Sequence, residues 1–170
     1  EGLSKHKGRL SLNGLTSLSD AAAESLSKHQ GDYLSLDGLT SLSDAAAESL
    51  SKHKGWGSLG LNGLTTISDA AAESLSKHKD GLSLIGITNL SDAAAESLSK
   101  HESDLYLNGL TTLSDSPGHV ALAGSLNKYL DDILELNDLT TLSDAAAESL
   151  SKYKYLLYLN GLTTLSDAAA

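Results

Sequence analysis

Histidine is the residue type here with the chemistry for metal binding or acid–base work, and it recurs at one repeat position: His6, His29, His53, His78 and His101. Tyr129 and Tyr153 take that position in later copies. A zinc ion would need imidazole nitrogens about 3.3 Å apart and a tetrahedral ligand set. Lys54 and Lys79 sit beside these histidines and repel a cation. The expected state is a row of solvated helix caps with no metal. Asp20, Asp44, Asp69, Asp92, Asp115, Asp144 and Asp167 form a second row. Helix capping accounts for them, and the glycine-rich nonapeptide of calcium-binding β-rolls is absent. Serine, histidine and aspartate are abundant enough to draw a triad almost anywhere. A real triad is one unique constellation with an oxyanion hole, whereas repetition supplies only copies. With no cysteine there is no thiolate chemistry and no disulfide. The sequence is therefore read as non-enzymatic, with no catalytic residue, cofactor or metal.

The elements that must place these residues are set by repetition. The decapeptide Ser-Asp-Ala-Ala-Ala-Glu-Ser-Leu-Ser-Lys occurs identically at 19–28, 43–52, 68–77, 91–100 and 143–152. A Leu-x-Leu-x-Gly-Leu-type segment begins at Leu10, Leu34, Leu59, Leu82, Leu105, Leu134 and Leu157, at spacings of 24, 25, 23, 23, 29 and 23 residues. Units of that length stack as solenoids, because one unit cannot bury its own apolar surface. Seven of them fill residues 1–170 as a single array, leaving no room for a separate catalytic domain.

In Leu10-Ser11-Leu12 the apolar residues alternate, the period of a half-buried strand. Asn13-Gly14 turns the chain, with Gly14 expected to supply a positive φ. Ser19-Asp20 caps a short helix over 21–28, whose Ala22 and Leu26 face the core with Leu18. Glu24 and Lys28 form an i,i+4 pair, and Gly31 ends the segment. Stacked units then give a row of parallel strands and a row of helices, an α/β repeat solenoid.

The Leu-x-Leu-x-Gly-Leu-x-x-Leu unit followed by an alanine-rich helix resembles the leucine-rich repeat family along essentially the whole chain. The family's usual asparagine is replaced by Leu15, Leu39, Leu64, Ile87, Leu110, Leu139 and Leu162, and its usual phenylalanine is missing. The segment from Gly14 to Ala23 looks more like the 23-residue repeats of bacterial surface proteins. The resemblance implies strands on a concave face, helices on a convex face, a protein-binding or scaffold role, and an extracellular or cell-surface location.

Against so regular a background the exceptions carry the information. Residues flanking the strand leucines point away from the core and would line the concave sheet. In the first half these positions are small and polar. The second half gathers Asp104, Tyr106, Ile133, Glu135, Leu156 and Tyr158, aromatic and aliphatic groups beside carboxylates, the composition of a binding hot spot. The fifth unit is six residues longer than its neighbours, with an insertion near 116–121. There Pro117 opens a helix, and Leu122, Leu126, Leu130 and Ile133 follow as its core stripe, with Asp131 and Asp132 at its end. A third row, Asn13, Asp37, Asn62, Ile85, Asn108, Asn137 and Asn160, offers hydrogen bonds along the solenoid, broken at Ile85. Beside it Asp138 stands where glycine recurs, and the turn is expected to survive because Asp tolerates positive φ.

Twelve basic residues against 22 acidic give a net charge of −10, which disfavours nucleic acid. No 18-residue apolar run is present, so no transmembrane helix is expected. The chain begins Glu1-Gly2-Leu3-Ser4-Lys5 and ends Ser166-Asp167-Ala168-Ala169-Ala170, which joined head to tail read as a nearly perfect repeat. Both ends are read as cuts through one helix without capping modules. Two partners follow: a protein on the sheet face of a bacterial repeat protein, or another copy stacked end to end into fibres.

Overall fold

Two leucines one residue apart place both side chains on the same side of an extended backbone, and a minimal strand forms at each such pair. The computed structural model describes residues 2–53, 55, 57–126 and 133–170. Within them β1 (Leu10–Ser11), β2 (Leu34–Ser35), β3 (Leu59–Gly60), β4 (Leu82–Ser83) and β5 (Leu105–Tyr106) alternate with helices α1 (Asp20–Leu26), α2 (Asp44–Leu50), α3 (Asp69–Leu75) and α4 (Asp92–Leu98). After β5 come β6 (Thr112–Leu113), α5 (Pro117–Ser125), β7 (Ile133–Glu135), β8 (Thr141–Leu142), α6 (Asp144–Leu150) and β9 (Leu156–Tyr158). The fold is an α/β repeat solenoid.

Strands β1 to β5 form one parallel sheet in sequence order, with Leu10, Leu34, Leu59, Leu82 and Leu105 in register. The sheet then stops. Strand β7 pairs with β9 and β6 with β8, as separate two-stranded ladders. The last two sheet-face strands begin at Ile133 and Leu156, one residue before the leucines that mark them in the sequence.

The core is a stack of leucines from strands and turns against alanines from the helices. Leu34, Leu36, Leu39 and Leu50 are fully buried, and so are their counterparts in the next two units. Each such leucine contributes about 1.5–3 kcal/mol of burial. Two alanines per helix, Ala46 with Ala47 or Ala71 with Ala72, are also fully buried. Their small size brings successive helices close; the repeat thus buries the Ala23 position as well as the expected Ala22 position. The helices begin where Ser19, Ser43, Ser68, Ser91 and Ser143 each accept the amide three residues on, worth about 1 kcal/mol per cap. Lys28–Glu24, Lys52–Glu48, Lys77–Glu73 and Lys100–Glu96 pair on the exposed flank, where solvent screens them.

Two expectations are corrected here. No described residue, glycine included, has a positive φ. The recurrent glycine is instead required by close approach between units. A Cβ would lie 2.0 Å from Asn13 O at Gly38, 2.3 Å from Asp37 O at Gly63 and 2.1 Å from Asn62 O at Gly86. It would lie 2.2 Å from Ile85 O at Gly109 and 2.4 Å from Asn137 O at Gly161. The turn at Asp138 does survive, with Leu139 N–H donating to Leu136 O at 3.1 Å. The second correction is the long helix of the fifth unit. Helix α5 ends at Ser125, and Ile133 lies on β7, exposed rather than in a helical core stripe. Leu122 and Leu126 are buried as expected. Leu130, Tyr129, Asp131, Asp132 and Lys54 lie outside the described residues.

Candidate functional site

Three groupings merit weighing: the histidine column, the rebuilt helix start of the fifth unit, and the sheet face of the last three units.

His6 is exposed as expected, but the next four histidines of the row are not solvated caps. Helices α1 to α4 end at leucine, and the chain then folds inward through a turn in which the histidine amide donates to that leucine's carbonyl, as from His29 N to Leu26 O at 2.9 Å. The ring drops between units. His29, His53, His78 and His101 are 0%, 3%, 1% and 3% exposed. Gly31 makes room rather than terminating the helix: a Cβ there would meet His29 Cε1 at 2.6 Å, and one at Gly55 would meet His53 Cε1 at 2.3 Å. Ring centroids of His29 and His53 are 5.6 Å apart, and those of His53 and His78 are 6.1 Å apart.

His29 Nε2 lies 3.0 Å from Gly8 O. A carbonyl can only accept, so Nε2 carries the proton, and Nδ1 accepts from His53 Nε2–H at 3.3 Å. Burial, reinforced by His78 and His29, pushes the pKa of His53 down to about 4. Burial also lowers His78 and His101. Burial thus disfavours the charged form of His53, His78 and His101, which form a structural seam of polar rings. Among the described residues no three His, Cys, Asp or Glu side chains converge as a metal site. In the last unit Tyr153 takes the position, its ring edge-on to Tyr155 at 5.9 Å.

The aspartate row links units. Ser43 Oγ donates to Asp20, Ser68 Oγ to Asp44, Ser91 Oγ to Asp69 and Ser166 Oγ to Asp144. Serine caps its own helix while aspartate grips the next cap, a division of labour that sequence reading merged into capping alone. In the fifth unit the arrangement is rebuilt. Gly118 N–H donates to Asp92 Oδ1 at 2.6 Å, and the Ser116 hydroxyl and that amide hold the Asp92 carboxyl below its ordinary range. His119 is buried, with Nε2–H donating to Leu90 O at 3.0 Å and Nδ1 accepting from Ser114 N–H at 3.0 Å. Both ring nitrogens are engaged in holding backbone, so this histidine braces the altered helix start.

The sheet face holds the six residues expected to form a patch. Register across β7 and β9 sets Ile133 beside Leu156 and Glu135 beside Tyr158. Ile133 is 43% exposed and Leu156 56%, large values for apolar side chains. Tyr106 ends β5, in the row that continues as Glu135 and Tyr158, while Asp104 heads the row of Ile133 and Leu156. Burial, then Asp104, push the Tyr106 phenol up. Because β5 does not pair with β7, a cleft of about 130 Å³ opens between them, lined by residues 105–108 and 133–135. Sequence reading did not foresee that cleft.

The third row hydrogen-bonds along the solenoid, mostly from side chain to the next backbone. Asn13 Oδ1 accepts from Asp37 N–H, Asp37 Oδ1 from Asn62 N–H and Asn62 Oδ1 from Ile85 N–H, at 3.0, 3.0 and 3.1 Å. Ile85 has no side-chain acceptor to continue the row. Asn108 turns instead to Glu135, its Nδ2–H donating to Oε2 at 3.3 Å across the cleft. Asn160 then donates to Asn137 Oδ1 at 2.8 Å. Among the described residues no helix is long and apolar enough to cross a membrane. No protein-family model and no curated protein matches the sequence.

Proposed function

We propose that this chain is a non-enzymatic binding module that engages a partner protein through the sheet face of its fifth to seventh units. One observation carries the reading: Tyr106, Ile133, Glu135, Leu156 and Tyr158 lie together on neighbouring strands, with Ile133, Leu156 and Tyr158 exposed. Exposed apolar residues grouped beside charges are the composition of an interaction surface. The equivalent face of the first four units presents Ser11, Ser35, Gly60 and Ser83 in the same row. The resemblance to leucine-rich repeats of bacterial surface proteins agrees with this role and with an extracellular or cell-surface setting. Affinity capture with the intact chain and with a Tyr106→Ala, Glu135→Ala, Tyr158→Ala variant tests it. The native chain is expected to retain a partner that the variant loses while far-ultraviolet circular dichroism is unchanged. An identical set of captured proteins contradicts it.

A second reading, end-to-end self-association into fibres, draws on the apolar face of the first unit. Leu12, Leu15, Leu18 and Leu26 surround an open hollow of about 380 Å³, and Leu165 is exposed in the last unit. Sedimentation velocity over a concentration series separates the two: a monomer at high concentration removes the fibre reading.

A further inference from the structure

The cleft between β5 and β7 bears on what the sheet face takes. We propose that it receives the basic side chain, arginine or lysine, of an extended segment of the partner polypeptide. This rests on the protein-binding reading and adds the chemistry of the partner.

Three observations support it. First, the row Tyr106, Glu135, Tyr158 sets a carboxylate between two phenol rings, with the cleft opening between Tyr106 and Glu135. A cation placed there meets a ring face and a carboxylate together, two attractions that reinforce each other at a partly desolvated site. Second, a volume of about 130 Å³ accommodates a guanidinium or ammonium head and its stem but not a polypeptide strand. The partner's backbone therefore runs over Ile133 and Leu156 while one side chain reaches in. Third, the same sheet already makes the cation–ring part of this contact within the chain. The one basic residue among the described strand-flanking positions is Arg9, and its guanidinium stands 5.3 Å from the Tyr33 ring centroid in the next unit. Across the cleft a tyrosine and a carboxylate, Tyr106 and Glu135, again lie close together. The chain's net charge of −10 further favours a cationic partner and raises its encounter rate.

The test titrates the intact 170-residue chain into two fluorescein-labelled hexapeptides of valine and threonine. One carries a central arginine and the other citrulline, its neutral isostere. The arginine peptide is expected to bind at least about tenfold more tightly at low salt, with Glu135→Gln erasing the preference and added salt weakening it. Equal binding of the two peptides, absence of binding by both, or a preference that survives Glu135→Gln overturns the proposal. The broader reading is judged apart from it. If the peptides bind equally but Tyr106→Ala and Tyr158→Ala abolish both, the surface stands and its basic specificity falls. If neither peptide binds and the triple alanine variant captures the native set of proteins, both fall.

Discussion

Between the second and third units Gly63 passes so close to its neighbour that a Cβ would sit 2.3 Å from Asp37 O, and there the strands pair. Between the fifth and sixth units the same position is Asp138, the preceding unit is six residues longer, and the strands do not pair. The turn-side contacts of the second junction hold. Thr140 N–H donates to Thr111 O at 2.9 Å, Ser143 N–H to Leu113 O at 2.9 Å, and α5 packs on α6. The turn-side ladder even becomes regular enough there to form β6 and β8. The solenoid therefore has two separable fastenings, one along the sheet face and one along the turns. At the junction where Asp138 replaces glycine and the preceding unit is longer, the first is released while the second holds. The open sheet face is also where large residues replace serine and glycine, so the structural exception and the chemical one coincide.

The sharpest way to break this contrast is to carry the exception into the regular half. Gly86→Ala places a Cβ 2.1 Å from Asn62 O, a backbone atom with no side-chain freedom to move away. The expected cost is about 3 kcal/mol, the upper end of overpacking costs, read as a lower urea midpoint. Gly14→Ala, with nothing within 4 Å and no positive φ, is the control and should be neutral or stabilising by less than about 1 kcal/mol.

The second contrast is the column, histidine in the first five units and tyrosine at Tyr153. An unfolded histidine titrates near 6.5. In the folded chain burial lowers His53 to about 4 and lowers His78 and His101 as well. Above about pH 6.5 both states are neutral and stability is full. As pH falls below that value the unfolded state takes up protons first, so stability is lost progressively until the folded pKa is reached. For His53 the loss is on the order of 3 kcal/mol. Charged groups lining the adjoining groove, Glu48, Lys52, Glu73, Lys77, Lys79 and Asp80, are of mixed sign and do not reverse it. Thermal melts at pH 7 and pH 5 should show a clear fall in Tm, flattened in His53→Asn. An unchanged slope in that variant contradicts the buried-column account.

These two contrasts mark how far the sequence could be read. Strand leucines, helix alanines and serine caps were legible because each acts within one unit, through periodicity or a hydrogen bond three residues away. The histidine burial was not, because it arises from stacking: His53 is covered by its neighbours His29 and His78 and by Gly55, none of which a single unit places. The glycines were noticed for the wrong reason. Their fixed position fitted a turn requirement, whereas the structure ties them to a carbonyl 25 or 26 residues earlier in units 2 and 3. The patch residues were identified by type, and their grouping on β5, β7 and β9 follows from the register. The cleft within that patch was not legible, because it depends on which neighbouring strands pair, and no single unit reveals that.

The smallest expected effect is also the most direct test of the central claim, that the sheet face is open between β5 and β7. At the paired junction before it, Leu82 N–H donates to Asp104 O and Leu84 N–H to Tyr106 O, both within 3 Å. By the same pattern the amides of Leu105 and Leu107 face β7. Amide hydrogen exchange of these four residues in the native chain and in Asp138→Gly measures the seam. The account predicts faster exchange at Leu105 and Leu107 than at Leu82 and Leu84 in the native chain. It also predicts slowing of the first pair in the variant, with a stability gain below about 1 kcal/mol. Equal protection of all four amides in the native chain would contradict it.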